Sequence, residues 1–531
     1  MTIELPKPAL LPEGVAPDAY EVAIDAFREA IGSEHVHLDG ELMVELRDAY
    51  AWPADDRHWP SAVLQPGSVE EVQAIVRLAA EHGVPLWVNG QGKNLGYGGA
   101  APRLRGSVTI NFQRMTRILE VNEELGYVVL EPGTTYYELV DELKARGGAW
   151  WPSTPDIGWG SVIGNTSDYG VGYTEFGDHF ASIVGLEVVL PSGELLRTGM
   201  WASSTATAAH AHPRGFGPDV TGLFGQSNLG IITKMAKKLS PRPERYVALR
   251  FRVQRDEDIA PLVDATRELL LEGTLRNIPV ICGILGTAAM RAPRHEWFEG
   301  RITDEQYRAT MQKLGMGWWN LRAALYGPTG VVEAQLERCR EVLTAAVPDG
   351  EFSFLEAAGD EVDAEHFPLH PDRVQAGLPS QGLLESIKWR NPDGGHLEFS
   401  PVAPATGAEA LKLGGLVRDV MEEYGLDFWP SICVFGRSMV YLCVGNFDHS
   451  DEAAIENMYD YYEAAIRRLG AEGYPIYRGH LRGMDAAQDQ FDWNDHAYRR
   501  FVERLKDALD PAGVLSPGKQ GIWPARYRSG R

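Results

Sequence analysis

The segment 88–103, VNGQGKNLGYGGAAPR, contains five glycines and follows a predicted strand. Glycine permits positive φ and lets backbone N–H groups approach an anion closely. This segment therefore predicts a loop suited to the pyrophosphate of a nucleotide cofactor. A glycine-rich turn without any ligand is the alternative, and this segment alone does not separate the two.

Two familiar nucleotide motifs nearly fit this loop and then fail. Gly90, Gly92 and Gly96 give G-x-G-x-x-x-G, which is one residue longer than the dinucleotide fingerprint. A P-loop would require glycine where Trp87 stands. The sequence therefore disfavours a nicotinamide Rossmann site and a P-loop.

Histidine pairs occur in two places, His210 with His212 and His366 with His370. Each pair offers only two imidazoles, and proline beside the second pair disfavours helical ligand geometry. We interpret all four as loop histidines and expect no metal site.

Around the glycine loop the sequence predicts a strand, a helix and a strand. SAVL begins at Ser61, and Ser68 with Glu71 has the S-x-x-E spacing that caps a helix. Apolar residues then recur at helical spacing until Gly83, before the strand-like VPLWV. The pattern predicts one βαβ-like unit.

Further along the chain the predicted elements change in character. Residues 107–238 are glycine-rich with short β-type runs, which indicates a mixed α+β region. Beyond them, helical segments such as DIAPLVDATRELLLEG alternate with β-like stretches such as SICVFG. We predict one domain from 1–245 and 475–531, and a second domain inserted at 246–474.

Composition indicates a folded, acidic protein. The 531 residues carry 50 Lys plus Arg against 74 Asp plus Glu, so the formal charge of −24 disfavours nucleic-acid or anionic-membrane partners. The four cysteines show no disulfide framework, and neither a signal peptide nor a membrane-spanning run is visible. We expect a cytoplasmic location.

Several segments in fixed order, spanning about residues 60 to 525, resemble the vanillyl-alcohol oxidase and 4-cresol dehydrogenase family of flavoproteins, in particular its bacterial eugenol oxidase-like members. These segments are GKNLGYGGAAPRL, GWGSVIGNTSDYGVGYTEFGDHF, QSNLGIITKM, GGHLEFSPV and LSPGKQGIW. The resemblance implies an α+β fold, with an FAD domain built from both chain ends. It also implies an inserted cap domain with an antiparallel sheet and flanking helices.

The cofactor implied by the resemblance is FAD, attached covalently through His396. Neutral imidazole is nucleophilic near physiological pH, which suits this attachment; tight noncovalent binding is the alternative. The other residues implied to bind FAD are Val88, Asn89, Gly90, Gln91, Gly92, Lys93, Asn94, Gly160, Ser161, Gly164, Asn165, Ile231 and Lys519.

Catalytic residues are implied in the same way. Tyr97, Tyr477 and Arg478 match the positions that bind a phenolic oxygen in this family, where two hydroxyls and a guanidinium stabilise the phenolate. Asp156 matches an acidic residue beside the reacting carbon, and a carboxylate there can activate water. Its alternative role is turn formation within STPDIGWGS.

The sequence also departs from the family pattern. Val440 and Tyr441 replace a histidine pair, and Glu398 replaces a smaller or apolar residue. We therefore place Glu398 and Tyr441 in the substrate pocket. Trp318 and Trp319 suit either an aromatic pocket or core packing.

The resemblance implies oxidation of para-substituted phenols, including lignin-derived aromatics, through a quinone methide. Expected partners are the phenolic substrate, dioxygen and a second copy of the chain in a homodimer. Alternatives are a dehydrogenase with a separate cytochrome partner, a flavin oxidase of a sugar or hydroxy acid, and a flavin-binding protein without turnover.

Overall fold

The computed structural model describes residues 10–529. The first nine residues, on which the prediction of no signal peptide partly rests, lie outside this range. Within it, no helix is both long and apolar enough to cross a bilayer.

The first sheet has four strands and contains the predicted βαβ-like unit. Its strands, in spatial order, are Val36–His37, Ala62–Leu64, Val108–Asn111 and Leu86–Asn89. Ala62–Leu64 and Leu86–Asn89 both pair in parallel with Val108–Asn111, which lies between them. The strand–helix–strand prediction is confirmed. The structure also shows that Val108–Asn111 lies between the two predicted strands.

The helix of this unit, Val69–His82, begins and ends where its sequence predicts. The Ser68 hydroxyl accepts a hydrogen bond from the backbone N–H of Glu71 at 3.2 Å. The Glu71 carboxylate accepts one from the backbone N–H of Gly67 at 2.8 Å. Gly83 ends the helix in the left-handed conformation, which costs glycine little.

A second, antiparallel sheet follows. Its strands, in spatial order, are Ile118–Asn122, Tyr127–Leu130, Ile231–Lys238, Ile183–Val189 and Leu195–Arg197. Trp150–Trp151 pairs separately with Ser240–Pro241. Near the other end of the chain, Leu86 accepts a hydrogen bond from Ser516 and donates one to Val514, so the C-terminal segment extends the first sheet.

The third sheet is the largest and is antiparallel. Its strands, in spatial order, are Glu351–Ala358, Arg245–Val253, Trp319–Gly327, Val280–Gly283, Pro430–Val434, Ser438–Asp448 and Gly394–Phe399, and Val402–Pro404 also pairs with Ser438–Asp448. We call it the cap sheet. Helices Ile259–Leu271, Thr329–Ala346, Gly407–Glu423 and Glu452–Ala471 share one apolar core with it.

Shorter helices and the terminal helices complete the described chain. They are Pro17–Ile31, Glu41–Glu45, Tyr136–Ala145, Val162–Ser167, Ile284–Ala289, Asp304–Leu314, His370–Val374, Met484–Asp489, Trp493–Leu509 and Ala525–Arg528. Mixed helices and antiparallel sheets in two packed regions confirm the α+β fold class. The domain limits at 245/246 and 474/475 stay predictions.

Candidate active site

One cavity of about 830 Å³ lies between the cap sheet and the loops of the N-terminal sheets. Its walls come from residues 87–99, 155–173, 224–232 and 477–484, together with strands of the cap sheet. The volume falls within the range usual for small-molecule and cofactor sites. All residues expected to bind FAD contribute to its walls.

Glycines let the loops of this cavity pack against one another. A Cβ on Gly90 would lie 2.6 Å from the Cβ of Ser161 and 3.0 Å from the carbonyl oxygen of Pro132. Around Gly160, by contrast, a Cβ would meet nothing within 4 Å, so its backbone is open to the cavity. Gly90 thus lets two loops pack closely, whereas Gly160 leaves its backbone accessible from the cavity.

Ser161 fixes the loop that carries Gly160. Its hydroxyl donates to the Pro132 carbonyl at 2.5 Å and accepts from the Gly164 N–H at 2.9 Å, capping the helix Val162–Ser167. On that helix, Asn165 Oδ1 accepts a hydrogen bond from the Tyr136 hydroxyl at 3.0 Å. Hydrogen bonds within the protein therefore hold this glycine-bearing loop in place.

His396 lies in the cavity wall with one ring nitrogen unsatisfied. Its side chain is buried, and Nδ1 has no hydrogen-bond partner among residues 10–529. The other ring nitrogen, Nε2, lies 3.6 Å from Glu398 Oε1. A Cβ on Gly96 would lie 2.8 Å from Nε2, so only glycine lets the loop approach the imidazole this closely. An unpartnered imidazole beside a cradle of this kind fits a flavin-binding site.

Tyr97 and Arg478 meet in this cavity although they lie far apart in sequence. The guanidinium carbon of Arg478 lies 4.3 Å from the centre of the Tyr97 ring. Arg478 Nη2 donates to Asp168 Oδ2 at 3.0 Å and to Asn94 Oδ1 at 3.2 Å. These two acceptors fix the guanidinium plane against the aromatic ring.

Tyr477 completes this group from the opposite end of the chain. Its backbone N–H donates to the Ser400 carbonyl at 3.4 Å, and its own carbonyl accepts from Gln226 at 2.8 Å. The Tyr97 hydroxyl lies 3.3 Å from the Ser400 hydroxyl. The structure thus brings Tyr97, Tyr477 and Arg478 to one wall of the cavity.

Electrostatics keep both tyrosines protonated and the arginine charged. Burial raises the pKa of Tyr477 to about 12, and burial raises that of Tyr97 well above its ordinary value. Burial disfavours the charge of Arg478, but the neighbouring Tyr97 and Asp168 hold its pKa above the usual value. The group therefore offers hydroxyl donors and a fixed positive charge to an anionic oxygen.

Asp156 lies in the same cavity with two polar neighbours. The Tyr173 hydroxyl donates to its Oδ2 at 2.5 Å, and His370 Nε2 lies 3.6 Å from its Oδ1. Burial opposes ionisation, but the hydrogen bond and charge of His370, with the charge of Arg322, lower the pKa of Asp156. The carboxylate is therefore ionised at neutral pH.

Glu398 also lies in the cavity wall, whereas the placement of Tyr441 in the pocket is wrong. Successive residues of a strand point to opposite faces of a sheet. In strand Ser438–Asp448, Leu442 and Val444 face the cavity. Tyr441 therefore faces the helices, where its hydroxyl donates to the Ala410 carbonyl at 2.6 Å.

The structure places the two tryptophans that the sequence left open, and also His370, which was interpreted as a loop histidine. Trp318 and Trp319 pack in the core of the cap sheet, each with its indole N–H donating to Asp256. His370 begins a short helix beside Asp156, so its interpretation as a loop histidine is wrong. Among the residues that the structure describes, no group of three or more metal-ligating side chains is present.

Sequence reasoning missed the residues that position the predicted ones. Asp168 and Tyr173 both lie in the glycine-bearing segment 159–173, but nothing in that pattern indicates which side chains they would contact. Lys519, which was expected near the cofactor, lines the cavity, and desolvation there lowers its pKa. Arg322 carries no motif signal at all.

These features define an FAD-dependent oxidoreductase, and residues 60–199 match the FAD binding domain family. The 4-cresol dehydrogenase [hydroxylating] flavoprotein subunit of Pseudomonas putida is 31% identical over 97% of this chain and 98% of its own. The solved structure of 4-ethylphenol oxidase from Gulosibacter chungangensis has a TM-score of 0.92 and 35% identity, covering 98% of this chain and 100% of that one. The chain belongs to the vanillyl-alcohol oxidase and 4-cresol dehydrogenase family of flavoproteins.

A further relative is the 1'-carboxy-chondrochloren decarboxylase of Chondromyces crocatus. It is 31% identical over 95% of this chain and 98% of its own length. These relatives match this chain over nearly their whole length, and their names describe different reactions.

Proposed function

We propose that this enzyme oxidises para-substituted phenols at the carbon attached to the ring, through a quinone methide. The observation that carries the proposal is the meeting of Tyr97, Tyr477 and Arg478 in the cavity that also contains Asp156 and His396. Substrates of this class include 4-hydroxybenzylic alcohols and 4-alkyl- or 4-allylphenols, such as lignin-derived aromatics. The names of the 4-cresol and 4-ethylphenol relatives support it.

FAD would be held by the glycine-bearing loops at 88–94 and 160–165, with Ile231 and Lys519, and covalently by His396. When bound, it supplies a two-electron acceptor that takes a hydride from the substrate and that dioxygen can reoxidise. The unpartnered Nδ1 of His396 in the cavity wall supports the covalent bond.

The first task of the protein is to bind the substrate as phenolate. The Arg478 charge and the protonated hydroxyls of Tyr97 and Tyr477 stabilise the anion relative to the neutral phenol. Loss of hydride from the ring-attached carbon then leaves a neutral quinone methide, because the oxygen donates its charge into the ring. Asp168 and Asn94 already hold the Arg478 guanidinium in place, so its charge needs no reorganisation during this step.

Asp156 acts on the quinone methide. Its ionised carboxylate accepts a proton from water as the water oxygen adds to the ring-attached carbon, which restores the phenolate and yields an alcohol. Without water addition, loss of a proton from the neighbouring carbon gives an alkenyl phenol. A second oxidation of the alcohol gives an aldehyde.

Dioxygen is the proposed electron acceptor, and a homodimer in the cytoplasm is the proposed form of the enzyme. The relative named as an oxidase supports dioxygen. The relative named as a flavoprotein subunit favours the alternative, a cytochrome-linked dehydrogenase. The chain has no C-x-x-C-H haem-attachment motif, so a cytochrome would be a separate protein.

Anaerobic mixing of the holoenzyme with 4-ethylphenol, vanillyl alcohol and eugenol tests the substrate class. We expect flavin absorbance to bleach with these phenols and to persist with lactate, glycolate and a sugar. Persistence with every phenol would reject the proposal. Admitting air should then give peroxide in equal amount to product, whereas its absence would favour the cytochrome-linked alternative.

A further inference from the structure

A row of polar and apolar side chains crosses the cavity face of the cap sheet. Arg322 is directly opposite Arg250 on one neighbouring strand and Val280 on the other. Cys433 is the next residue in the row, opposite Val280. Directly opposite residues share a face, and three members of this row, Arg250, Arg322 and Val280, line the cavity.

The two arginines of this row differ in their partners. Arg250 pairs with the buried carboxylate of Asp372. The side chain of Arg322 makes no hydrogen bond and no ion pair with any residue of the described chain 10–529, and its Nε is buried without a partner. A partly buried guanidinium whose buried Nε has no acceptor is costly, so this side chain is suited to a ligand that supplies one.

Arg322 and Arg478 act on separate parts of the cavity. The groups that influence Arg478 are Tyr97, Asp168, Tyr477 and Glu398. Arg322 instead lies on the cap sheet opposite Val280, within the electrostatic influence of Cys282, Asp156 and Tyr173. If the phenolic oxygen lies at Arg478 and the reacting carbon at Asp156, the rest of the para substituent extends toward Arg322.

The cap side of the cavity is basic in an otherwise acidic chain. The arginines that line it are Arg250, Arg252, Arg291, Arg322 and Arg373. The acidic side chains there are Asp156, Asp372, Glu385 and Glu398, and all four already have partners in the protein. This excess of positive charge attracts an anionic substrate group.

We propose that Arg322 binds a carboxylate at the end of the para substituent, so that the preferred substrates are 4-hydroxyphenyl compounds with an acidic side chain. This inference rests on the proposed function and adds the substrate's second anchor. A guanidinium can hold a carboxylate through two parallel hydrogen bonds, which fixes the length of the side chain as well as its charge. The substrate is then held at both ends, with its ring-attached carbon beside Asp156.

The test compares two substrates of equal chain length, 3-(4-hydroxyphenyl)propanoate and 4-propylphenol. The readout is the ratio of their kcat/KM values in the holoenzyme. We expect the wild type to prefer the carboxylate by about tenfold or more, and Arg322→Met to lower the ratio about 30-fold. Arg322→Lys keeps the charge and should lower this ratio by no more than about fivefold.

The matched control is Arg252→Gln. Arg252 lines the same wall, but its charge faces Glu351 at 3.5 Å. The ratio of kcat/KM values for the two substrates in Arg252→Gln should stay within about threefold of the wild-type ratio.

Three results separate the possible failures. An unchanged ratio in Arg322→Met, or a wild type without preference for the acid, would overturn the carboxylate site. Equal losses on both substrates would mean that Arg322 acts through Asp156, which also contradicts the inference. If neither compound is oxidised by the wild type, the proposed function itself fails.

Discussion

The hydroxyl of Tyr97 donates a hydrogen bond to Oε2 of Glu398 across 2.7 Å. This bond places a carboxylate next to the position proposed for the phenolic oxygen. Burial opposes its charge, but the hydrogen bond and charge of His396 lower the pKa of Glu398, so the group is ionised. Glu398 therefore competes with the substrate for the Tyr97 hydroxyl and repels a phenolate.

Replacing Glu398 with Gln should make phenolate binding tighter. The amide removes the negative charge and still accepts the Tyr97 hydrogen bond, so KM for 4-ethylphenol should fall about tenfold. Steady-state kinetics at constant pH measure this change. Glu385→Gln is the control, because Glu385 also lines the cavity but pairs with Lys388 at its surface. A higher KM in Glu398→Gln alone would mean that the carboxylate assists binding.

The pH dependence of catalysis should depend on His370. Because His370 lowers the pKa of Asp156, His370→Gln raises that pKa, and the carboxylate becomes protonated at a higher pH. The acid limb of the kcat/KM profile should therefore move to higher pH than in the wild type. His366→Gln should leave the limb in place, since His366 is exposed and contacts Asp363. An acid limb that stays in place in His370→Gln would remove Asp156 from the catalytic role.

Covalent attachment of the flavin should depend on His396. Acid precipitation of the wild type should leave yellow colour in the pellet, whereas His396→Ala should release it into the supernatant. The control is His370→Gln, which removes another imidazole of the cavity. Its pellet should stay yellow. Release of the flavin from the wild type would show that binding is noncovalent.

Stability at acidic pH should depend on His58, which lies outside the cavity wall. Burial lowers its pKa to about 4 from an ordinary value of 6.5. Between these values the unfolded chain binds a proton that the folded chain does not, so stability falls as the pH decreases from 6.5 to 4. The loss between pH 7 and pH 5 is about 2 kcal/mol.

His58→Gln should remove this part of the loss. The thermal midpoint of the variant should therefore decrease less than that of the wild type between the two pH values. An equal decrease in both proteins would mean that His58 is not buried in its neutral form.

Local patterns predicted local structure well. The cap of the helix Val69–His82 could be read from Ser68 and Glu71, and its end from Gly83, because these signals act within a few residues. The composition change after residue 241 likewise predicted the alternating helices and strands of the cap sheet. Glycine spacing predicted the loops that form the cavity.

Contacts between distant residues were not predictable in the same way. Asp168 holds Arg478 across 310 positions of sequence, and no spacing rule connects them. Tyr441 was placed wrongly because the alternation of a strand gives two faces but not which one faces the cavity. That choice depends on strand order and on the helices packed against the sheet. His370 was misjudged for a similar reason, since its contact with Asp156 forms only in the folded chain.

Stabilisation of a phenolate by Tyr97, Tyr477 and Arg478 is the central claim, and anaerobic rapid mixing with 4-ethylphenol and its methyl ether, 4-ethylanisole, tests it most directly. The ether has the same ring and ethyl group but cannot ionise. We predict that flavin absorbance bleaches with 4-ethylphenol, that it persists with 4-ethylanisole, and that Arg478→Gln slows bleaching about 100-fold or more. Comparable bleaching by phenol and ether, or an unchanged rate in Arg478→Gln, would contradict the account.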